Sequence, residues 1–183
     1  LDNDGDLDLL ASTADGLLVL ENISTTASIT FSDRSSGVED APSFALATGQ
    51  LIVADLDNDG DLDIISCSDF DLIPLLWINN KIQGPGSSEA AANFSFSYWG
   101  DQLGLQSDGG GNDPFDGRPT FGVAVLDMDN DGDLDLIWDT QDTSSRGKLV
   151  FSNQLNDTGS FTFVFDSTNP VSNLGDIYAS MAT

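Results

Sequence analysis

The chain has 183 residues, and 39% of them are apolar, which is enough for a folded core and argues against intrinsic disorder. Its 31 acidic and 5 basic residues give a formal net charge of -26. Proteins that bind nucleic acid or anionic membranes neutralise phosphates with Lys and Arg, so we expect no nucleic-acid partner. The sequence contains no histidine, which excludes a Ser-His-Asp or Cys-His catalytic arrangement within it.

The apolar runs are too short to cross a membrane. The longest, Leu72 to Ile78, has seven residues and contains Pro74. A membrane-spanning helix needs about 20 apolar residues, so we expect no membrane insertion in this segment. Cys67 is the single cysteine, and its place in an apolar run predicts a buried small side chain rather than a reactive thiol.

An acidic motif opens the chain as Leu1 to Asp8 and recurs in full as Asp55 to Asp63 and Asp127 to Asp135. The full motif has Asp at positions 1, 3, 5, 7 and 9 and Gly at position 6. Two carboxylates ~4 Å apart repel by roughly 4 kcal/mol at an effective dielectric near 20, so converging Asp side chains need a cation. Calcium takes about six to eight oxygens, which side chains at positions 1, 3, 5 and 9 and the carbonyl of position 7 can supply.

The motif could also belong to an EF-hand or to an acidic turn that binds no ion. An EF-hand needs a bidentate Glu at its twelfth position and helices on both sides, but position 12 is Ser66 in the second copy and Trp138 in the third. A solvated acidic turn without an ion fits a single copy better than three copies with the same spacing.

The segments around each motif predict strands. Short apolar, β-branched runs precede and follow the full motifs, at Leu51 to Ala54, Ile64 to Cys67, Val123 to Leu126 and Leu136 to Trp138. A third run in each repeat ends in Asn, at Asn22, Asn79 and Asn153. A fourth run alternates apolar and polar residues, as a half-buried strand does, at Ile29 to Ser32, Phe94 to Ser97 and Phe161 to Val164.

Four antiparallel strands in a unit of about 40–70 residues predict an all-β fold of β-propeller blades. We place the units at residues 1–50, 51–120 and 121–176, with the next unit beginning at 177–183. Propellers need about four to eight blades, and an open stack would expose unpaired strand edges. We therefore expect residues 1–183 to be a partial propeller.

The motifs resemble the FG-GAP repeats of integrin α-subunit propellers and the related VCBS-type repeats. Phe121 to Val125, followed by the motif at Asp127, matches the FG-GAP signature, and the spacing from Phe31 to Asp55 is similar to the cartilage-acidic-protein type. The resemblance implies a propeller, usually seven-bladed, with calcium in the loop between the first two strands of each blade. It also implies an extracellular protein, secreted or at the cell surface, that acts in adhesion or recognition.

The resemblance assigns the calcium ligands by position. In the two full loops they are Asp55, Asp57, Asp59, Asp63 and the carbonyl of Asp61, and Asp127, Asp129, Asp131, Asp135 and the carbonyl of Asp133. The first loop lacks position 1 and retains Asp2, Asp4, Asp6 and Asp8.

Two functions follow from these features. The first is a non-catalytic calcium-binding scaffold for a protein or glycan ligand. The alternative is the propeller of a secreted polysaccharide-degrading lyase or glycosidase, which would need a catalytic carboxylate pair outside the loops. Convergence of Asp108, Asp113 and Asp116 with Arg118 in a cleft would favour the enzyme.

The expected partner site lies among loops on the face opposite the calcium loops. Aromatic residues and Arg dominate binding hot spots, so Trp99, Phe115 and Arg118 are the candidate contacts. Trp99 packing at the sheet edge, and Phe115 fixing its own loop, remain alternatives. Trp77 and Trp138 fall within strands and are predicted to belong to the core between blades.

Overall fold

The computed structural model describes residues 1–13, 15–39, 48–68, 75–80, 95–99, 120–140, 148–166 and 168. These residues form three antiparallel sheets in which consecutive strands are neighbours. The first sheet contains β1 (Leu9–Thr13), β2 (Gly16–Asn22) and β3 (Phe31–Asp33). The second contains β4 (Thr48–Ala54), β5 (Asp63–Ser68), β6 (Leu75–Asn79) and β7 (Phe96–Tyr98). The third contains β8 (Thr120–Leu126), β9 (Asp135–Thr140), β10 (Lys148–Asn153) and β11 (Phe163–Phe165).

The three sheets stack face to face, as propeller blades do. Side chains alternate across a strand, so β5 sends Ile64 to the cluster shared with the first sheet and Ile65 to the cluster shared with the third. All five residues of β6 are buried, which is the burial expected of a strand covered on both sides. The prediction of an all-β fold of blade-like sheets is confirmed.

Tryptophan residues anchor both inter-sheet cores. Trp77 is buried with Val19 between the first and second sheets, and Trp138 is buried with Leu76 between the second and third. Cys67 is 1% exposed in the second of these cores. The predictions for the two tryptophans and the cysteine are therefore confirmed.

The last strand of each sheet begins later than the alternating pattern predicts. Strand β3 begins at Phe31, β7 at Phe96 and β11 at Phe163. Each of these aromatic residues pairs with the Asn that ends the preceding strand. One further backbone hydrogen bond continues beyond each of these pairs, as from Asn80 N to Ser95 O at 2.7 Å, although the regular strand begins only at the aromatic residue.

The strands and their edges make contacts between repeats that were not predicted. The backbone N–H of Val123 in β8 donates to Oε1 of Gln50 in β4 across 3.1 Å. Val38 follows a 3-10 helix (Ser35–Gly37) and forms an isolated parallel bridge with Phe96, so the chain leaving the first sheet runs along the outer edge of the second.

The helices in the described part of the chain are short. They are the 3-10 helix and α1 (Leu155–Thr158), which lies between β10 and β11. Neither is long and apolar enough to span a membrane.

Candidate metal site

The three acidic loops share one backbone conformation. Asn at position 4 has a positive φ in each, at 60° for Asn3, 57° for Asn58 and 63° for Asn130. Asn tolerates this left-handed region better than most residues because its short polar side chain can bond locally. The glycine at position 6 has φ between 95° and 100° in every copy, a value that L side chains rarely adopt. The first loop therefore has the same turn as the two full loops, although it lacks position 1.

Hydrogen bonds within each loop hold the carboxylates in place. The side chain at position 3 accepts from the backbone N–H at position 5, as in the 3.3 Å bond from Asp59 N to Asp57 Oδ1. The side chain at position 5 accepts from position 7, as in the 2.9 Å bond from Asp61 N to Asp59 Oδ1. Position 1 accepts from Gly60 in the second loop, across 3.1 Å to Asp55 Oδ2. In each of these bonds one carboxylate oxygen faces the backbone, which leaves the second oxygen for another ligand.

The third loop repeats these bonds. Asp129 Oδ1 accepts from Asp131 N at 3.2 Å, and Asp131 Oδ1 accepts from Asp133 N at 3.0 Å. Asp127 Oδ2 accepts from Gly132 N at 3.2 Å. The two full loops are thus built by the same contacts 72 residues apart in sequence.

Three carboxylates converge in each full loop. One oxygen each from Asp55, Asp57 and Asp63 lies within 4.8 Å of the others. The same holds for one oxygen each from Asp127, Asp129 and Asp135. Positions 1, 3 and 9 of the motif therefore meet, as the ligand assignment requires. These two triads are the groups of at least three potential metal ligands found among the described residues.

The remaining predicted ligands stand outside the triads. Asp59 and Asp131, at position 5, bond to the backbone of their own loops, and the predicted contribution of Asp61 and Asp133 is a backbone carbonyl. The first loop brings together no such triad from its four acidic residues, Asp2, Asp4, Asp6 and Asp8.

The carboxylate at position 9 fastens the loop to the sheet. Asp63 is fully buried, and it accepts from Leu56 N at 2.8 Å and from Asn79 N at 2.9 Å. Asp135 accepts in the same way from Met128 N and Asn153 N, and Asp8 from Leu1 N and Asn22 N. This residue therefore joins the start of the loop to the end of the third strand and also contributes to the triad.

Burial and mutual repulsion disfavour the ionised carboxylates. The pKa of Asp63 is raised to about 7, mainly by burial; two backbone hydrogen bonds act to lower it, and the charges of Asp57 and Asp59 act to raise it. Burial raises the pKa of Asp57 to about 6, with the charges of Asp59 and Asp55 adding to the effect. Burial likewise raises the pKa of Asp135. A cation held between these groups would reverse the repulsion.

Oxygen atoms without partners support a cation in the full loops. Oδ1 of Asp55 and Oδ2 of Asp131 are buried and accept no hydrogen bond among the described residues. Leaving a buried polar atom unsatisfied costs roughly 1–3 kcal/mol, more for a charged group, and a bound cation would remove that cost. The donor set consists of carboxylate oxygens, which suit hard divalent cations such as calcium and magnesium. The residues present therefore fit a metal ion.

Residues 1–66 match the family model described as FG-GAP-like repeat. Residues 1–66 therefore contain an FG-GAP-type repeat. The matched segment includes the first loop, the first sheet and the whole second loop. Neither the curated proteins nor the solved structures contain a match to the chain. The integrin-like and cartilage-acidic-protein assignments stay predictions.

The Asn that ends a strand in all three repeats was recognised in the sequence, but no role was assigned to it. The Asn that ends the third strand donates its side-chain amide to the position 8 carbonyl of its own loop, from Asn22 to Leu7 and from Asn79 to Leu62. Asn153 makes the same bond. The signal was the constant residue type at the end of this strand in all three repeats. Spacing alone could not show which carbonyl accepts the bond.

Of the three predicted partner contacts, the structure describes one, Trp99. Trp99 is half-buried against the core between the second and third sheets, and its backbone N–H donates to Leu76 O at 2.8 Å. Part of its side chain therefore contributes to the packing between the second and third sheets. Phe115 and Arg118 lie outside the described residues, as do the three acidic residues proposed for an enzyme, Asp108, Asp113 and Asp116.

Proposed function

We propose that this FG-GAP-type repeat protein is a calcium-binding, non-catalytic scaffold for extracellular adhesion or ligand recognition. The observation that carries the proposal is the carboxylate triad that occurs twice, each time at positions 1, 3 and 9. Because the contacts that hold the carboxylates are the same in both loops, the arrangement is a property of the repeat.

Calcium suits these loops better than magnesium. Magnesium demands a nearly octahedral shell and gives up its water reluctantly, whereas calcium accepts about six to eight oxygens in flexible geometry. The triad supplies three carboxylates, and Asp59 or Asp131 at the edge of the loop can add a fourth by rotating toward the ion. The carbonyl at position 7 and water complete the shell.

The position of the triads favours a structural role for the ion. Each full loop joins two neighbouring strands of one sheet, and its position 9 carboxylate bonds to the third strand. A bound ion therefore holds three strands of the sheet together. It stabilises the fold by RT ln(1 + [L]/Kd), since the unfolded chain has no converged triad.

An extracellular location agrees with this role. Extracellular calcium modules bind with dissociation constants of about 0.1–1 mM, so a modest site suffices there. A protein or glycan partner would then bind to loops carried by the rigid sheets, where binding residues concentrate. The strongly acidic surface favours a neutral or basic partner over an anionic one.

Calorimetric titration of the metal-free chain tests the proposal. We expect binding of calcium at two sites or more and weaker binding of magnesium. Asp57→Asn and Asp129→Asn should each remove one site, whereas Asp15→Asn, which changes the charge equally at an exposed turn, should remove none. Calcium binding that persists unchanged in the Asp57→Asn, Asp129→Asn double variant would show that the triads are not the sites. Absence of calcium binding by the wild-type chain would overturn the proposal.

A further inference from the structure

We propose that Asn153 is a positioning residue that couples the second and third metal loops, so that an ion bound in one loop strengthens binding in the other. The inference rests on the proposed function, because it concerns the loops assigned to calcium. It goes beyond that function in treating the loops as one connected array rather than as independent sites.

The first step is the contact of each Asn with its own loop. The backbone N–H of Asn153 donates to Oδ1 of Asp135 at 2.9 Å, and its side chain donates to Leu134 O at 3.3 Å. Asn79 makes the corresponding bonds to Asp63 and Leu62, at 2.9 Å and 3.2 Å. Each Asn therefore fixes a carboxylate of the triad in its own repeat.

The second step is a bond from the same side chain to the preceding loop. Nδ2 of Asn153 donates to the carbonyl of Leu56, at position 2 of the second loop, across 3.0 Å. Nδ2 of Asn79 donates to the carbonyl of Leu1, at position 2 of the first loop, across 3.3 Å. The same contact thus occurs at both junctions between repeats.

These bonds form a continuous connection between two triads. The N–H of Leu56 donates to Asp63 of the second triad, and its carbonyl accepts from Asn153, which in turn donates to Asp135 of the third loop. Leu56, Asn153 and Asp63 are each fully buried, so these bonds lie in a low-dielectric environment where hydrogen bonds are stronger. Movement of Asp63 is therefore transmitted to Asp135 through the backbone of Leu56 and through Asn153, which bonds to Leu56 with its side chain and to Asp135 with its backbone N–H.

The first and second loops have an additional contact. Nδ2 of Asn3 donates to Oδ1 of Asp61 at 2.9 Å and to Gly60 O at 3.0 Å. This amide holds position 7 of the second loop, whose carbonyl is a predicted ligand. The second loop is therefore contacted by residues of both neighbouring repeats.

The loss of conformational freedom when an ion binds determines whether the coupling between the loops is positive or negative. An ion bound to one triad restricts the carboxylate at position 9 and the peptide that bonds to it. The adjoining loop then has less freedom to lose when it binds its own ion, which produces positive coupling. Repulsion between the two bound ions acts in the opposite direction, but it is the same whether or not the Asn side chain is present. Removing the side chain therefore isolates the connection.

The test is calcium titration by calorimetry on the full chain, which gives the affinity of the second site when the third loop can bind calcium and, in Asp129→Asn, when it cannot. With Asn153 present, disabling the third loop should weaken the second site by at least about fivefold, the lower end of typical coupling, whereas in the Asn153→Ala background it should leave that site unchanged. The matched control is Asn156→Ala, because that side chain donates to Asp131 O of the third loop and makes no bond to the second loop. The control should retain the fivefold dependence of the second site on the third loop.

A second measurement tests the coupling even if the Asn153→Ala variant fails to fold. In the wild-type chain, the overall constant for filling both triads should exceed the product of the single-loop constants from Asp57→Asn and Asp129→Asn by about fivefold or more. Equality of the two values, or a fivefold dependence on the third loop that persists in the Asn153→Ala variant, would overturn the coupling through Asn153 while leaving calcium binding intact. Absence of any calcium binding by the wild-type chain would instead overturn the proposed function, and the coupling with it.

Discussion

The backbone N–H of Asn79 donates to Oδ1 of Asp63 across 2.9 Å, joining the end of a strand to the end of an acidic loop 16 residues earlier. Asn153 and Asp135 form the same pair in the next repeat. A carboxylate that must accept backbone N–H groups and also face two other carboxylates has a structural role and a ligand role together. The two roles can be separated by substitution.

The first prediction compares Asp63→Ala with Asp57→Ala. Asp63→Ala leaves two buried N–H groups without an acceptor, at a cost of roughly 1–3 kcal/mol each, so it should lower the melting temperature with and without calcium. Asp57 accepts one exposed backbone bond, so Asp57→Ala should lower the melting temperature mainly in calcium. Thermal unfolding of metal-free and calcium-loaded samples checks this. Equal losses for both variants in both conditions would contradict the division of roles.

The second prediction concerns pH in the metal-free chain. The pKa of Asp63 is raised to about 7 and that of Asp57 to about 6 in the folded state, against an unfolded value near 4. The folded state then binds protons more tightly than the unfolded state, so this contribution is present below about pH 4 and is lost as pH rises to about 7. We expect denaturant unfolding of the dialysed, metal-free chain to show falling stability over this range.

Calcium should reverse the direction of this dependence. Ion binding requires ionised carboxylates, so the stabilisation by calcium should grow as pH rises through the range of about 6 to 7. Asp63→Asn should flatten the pH dependence of the metal-free chain, whereas Asp15→Asn at an exposed turn should retain it. A slope that is unaffected by Asp63→Asn would assign the effect to the overall negative charge.

The third prediction concerns the turn within the loop. Gly60 has φ of 95°, and a Cβ placed there would meet no atom within 4 Å, so Gly60→Ala tests backbone strain without a steric clash. We expect a loss of about 1–2 kcal/mol in unfolding free energy, together with weaker calcium binding. Asn58→Gly is the control, because glycine readily adopts the positive φ at that position. Chemical denaturation of both variants measures the difference.

The fourth prediction concerns the partner. Deleting residues 107–116 removes Phe115 from a segment outside the described residues. We expect the melting temperature and its calcium dependence to persist, while binding to an array of glycans and immobilised matrix proteins is lost. A full set of array signals in the deletion variant would mean that this segment is only a spacer.

The repeated motifs allowed much of the fold to be predicted. Short apolar, β-branched runs around each acidic loop located the strands, and the large apolar residues Trp77 and Trp138 located the two cores. The fourth strands were misplaced because Phe94 and Phe161 continue the alternating pattern past the Asn where the ladder ends. Alternation reports which face a side chain occupies but not where the neighbouring strand stops.

The sequence predicted the contacts within one metal loop but not those between loops. Positions 1, 3 and 9 were named as ligands, and the structure brings them together. The bonds from Asn79 and Asn153 to the preceding loop connect residues 78 and 97 positions apart. Such contacts depend on how the sheets stack, and the spacing within one repeat carries no information about stacking.

Glu39 makes the stability of the second sheet depend on the repeat before it. Its N–H donates to Phe96 O, its carbonyl accepts from Trp77 Nε1, and its carboxylate accepts from Tyr98 N. The outer strand of the second sheet is therefore completed by a residue that belongs to the repeat before it. Repeat arrays gain stability from such nearest-neighbour interfaces, so partial unfolding of the first sheet should spread to the second rather than stop at the boundary between them.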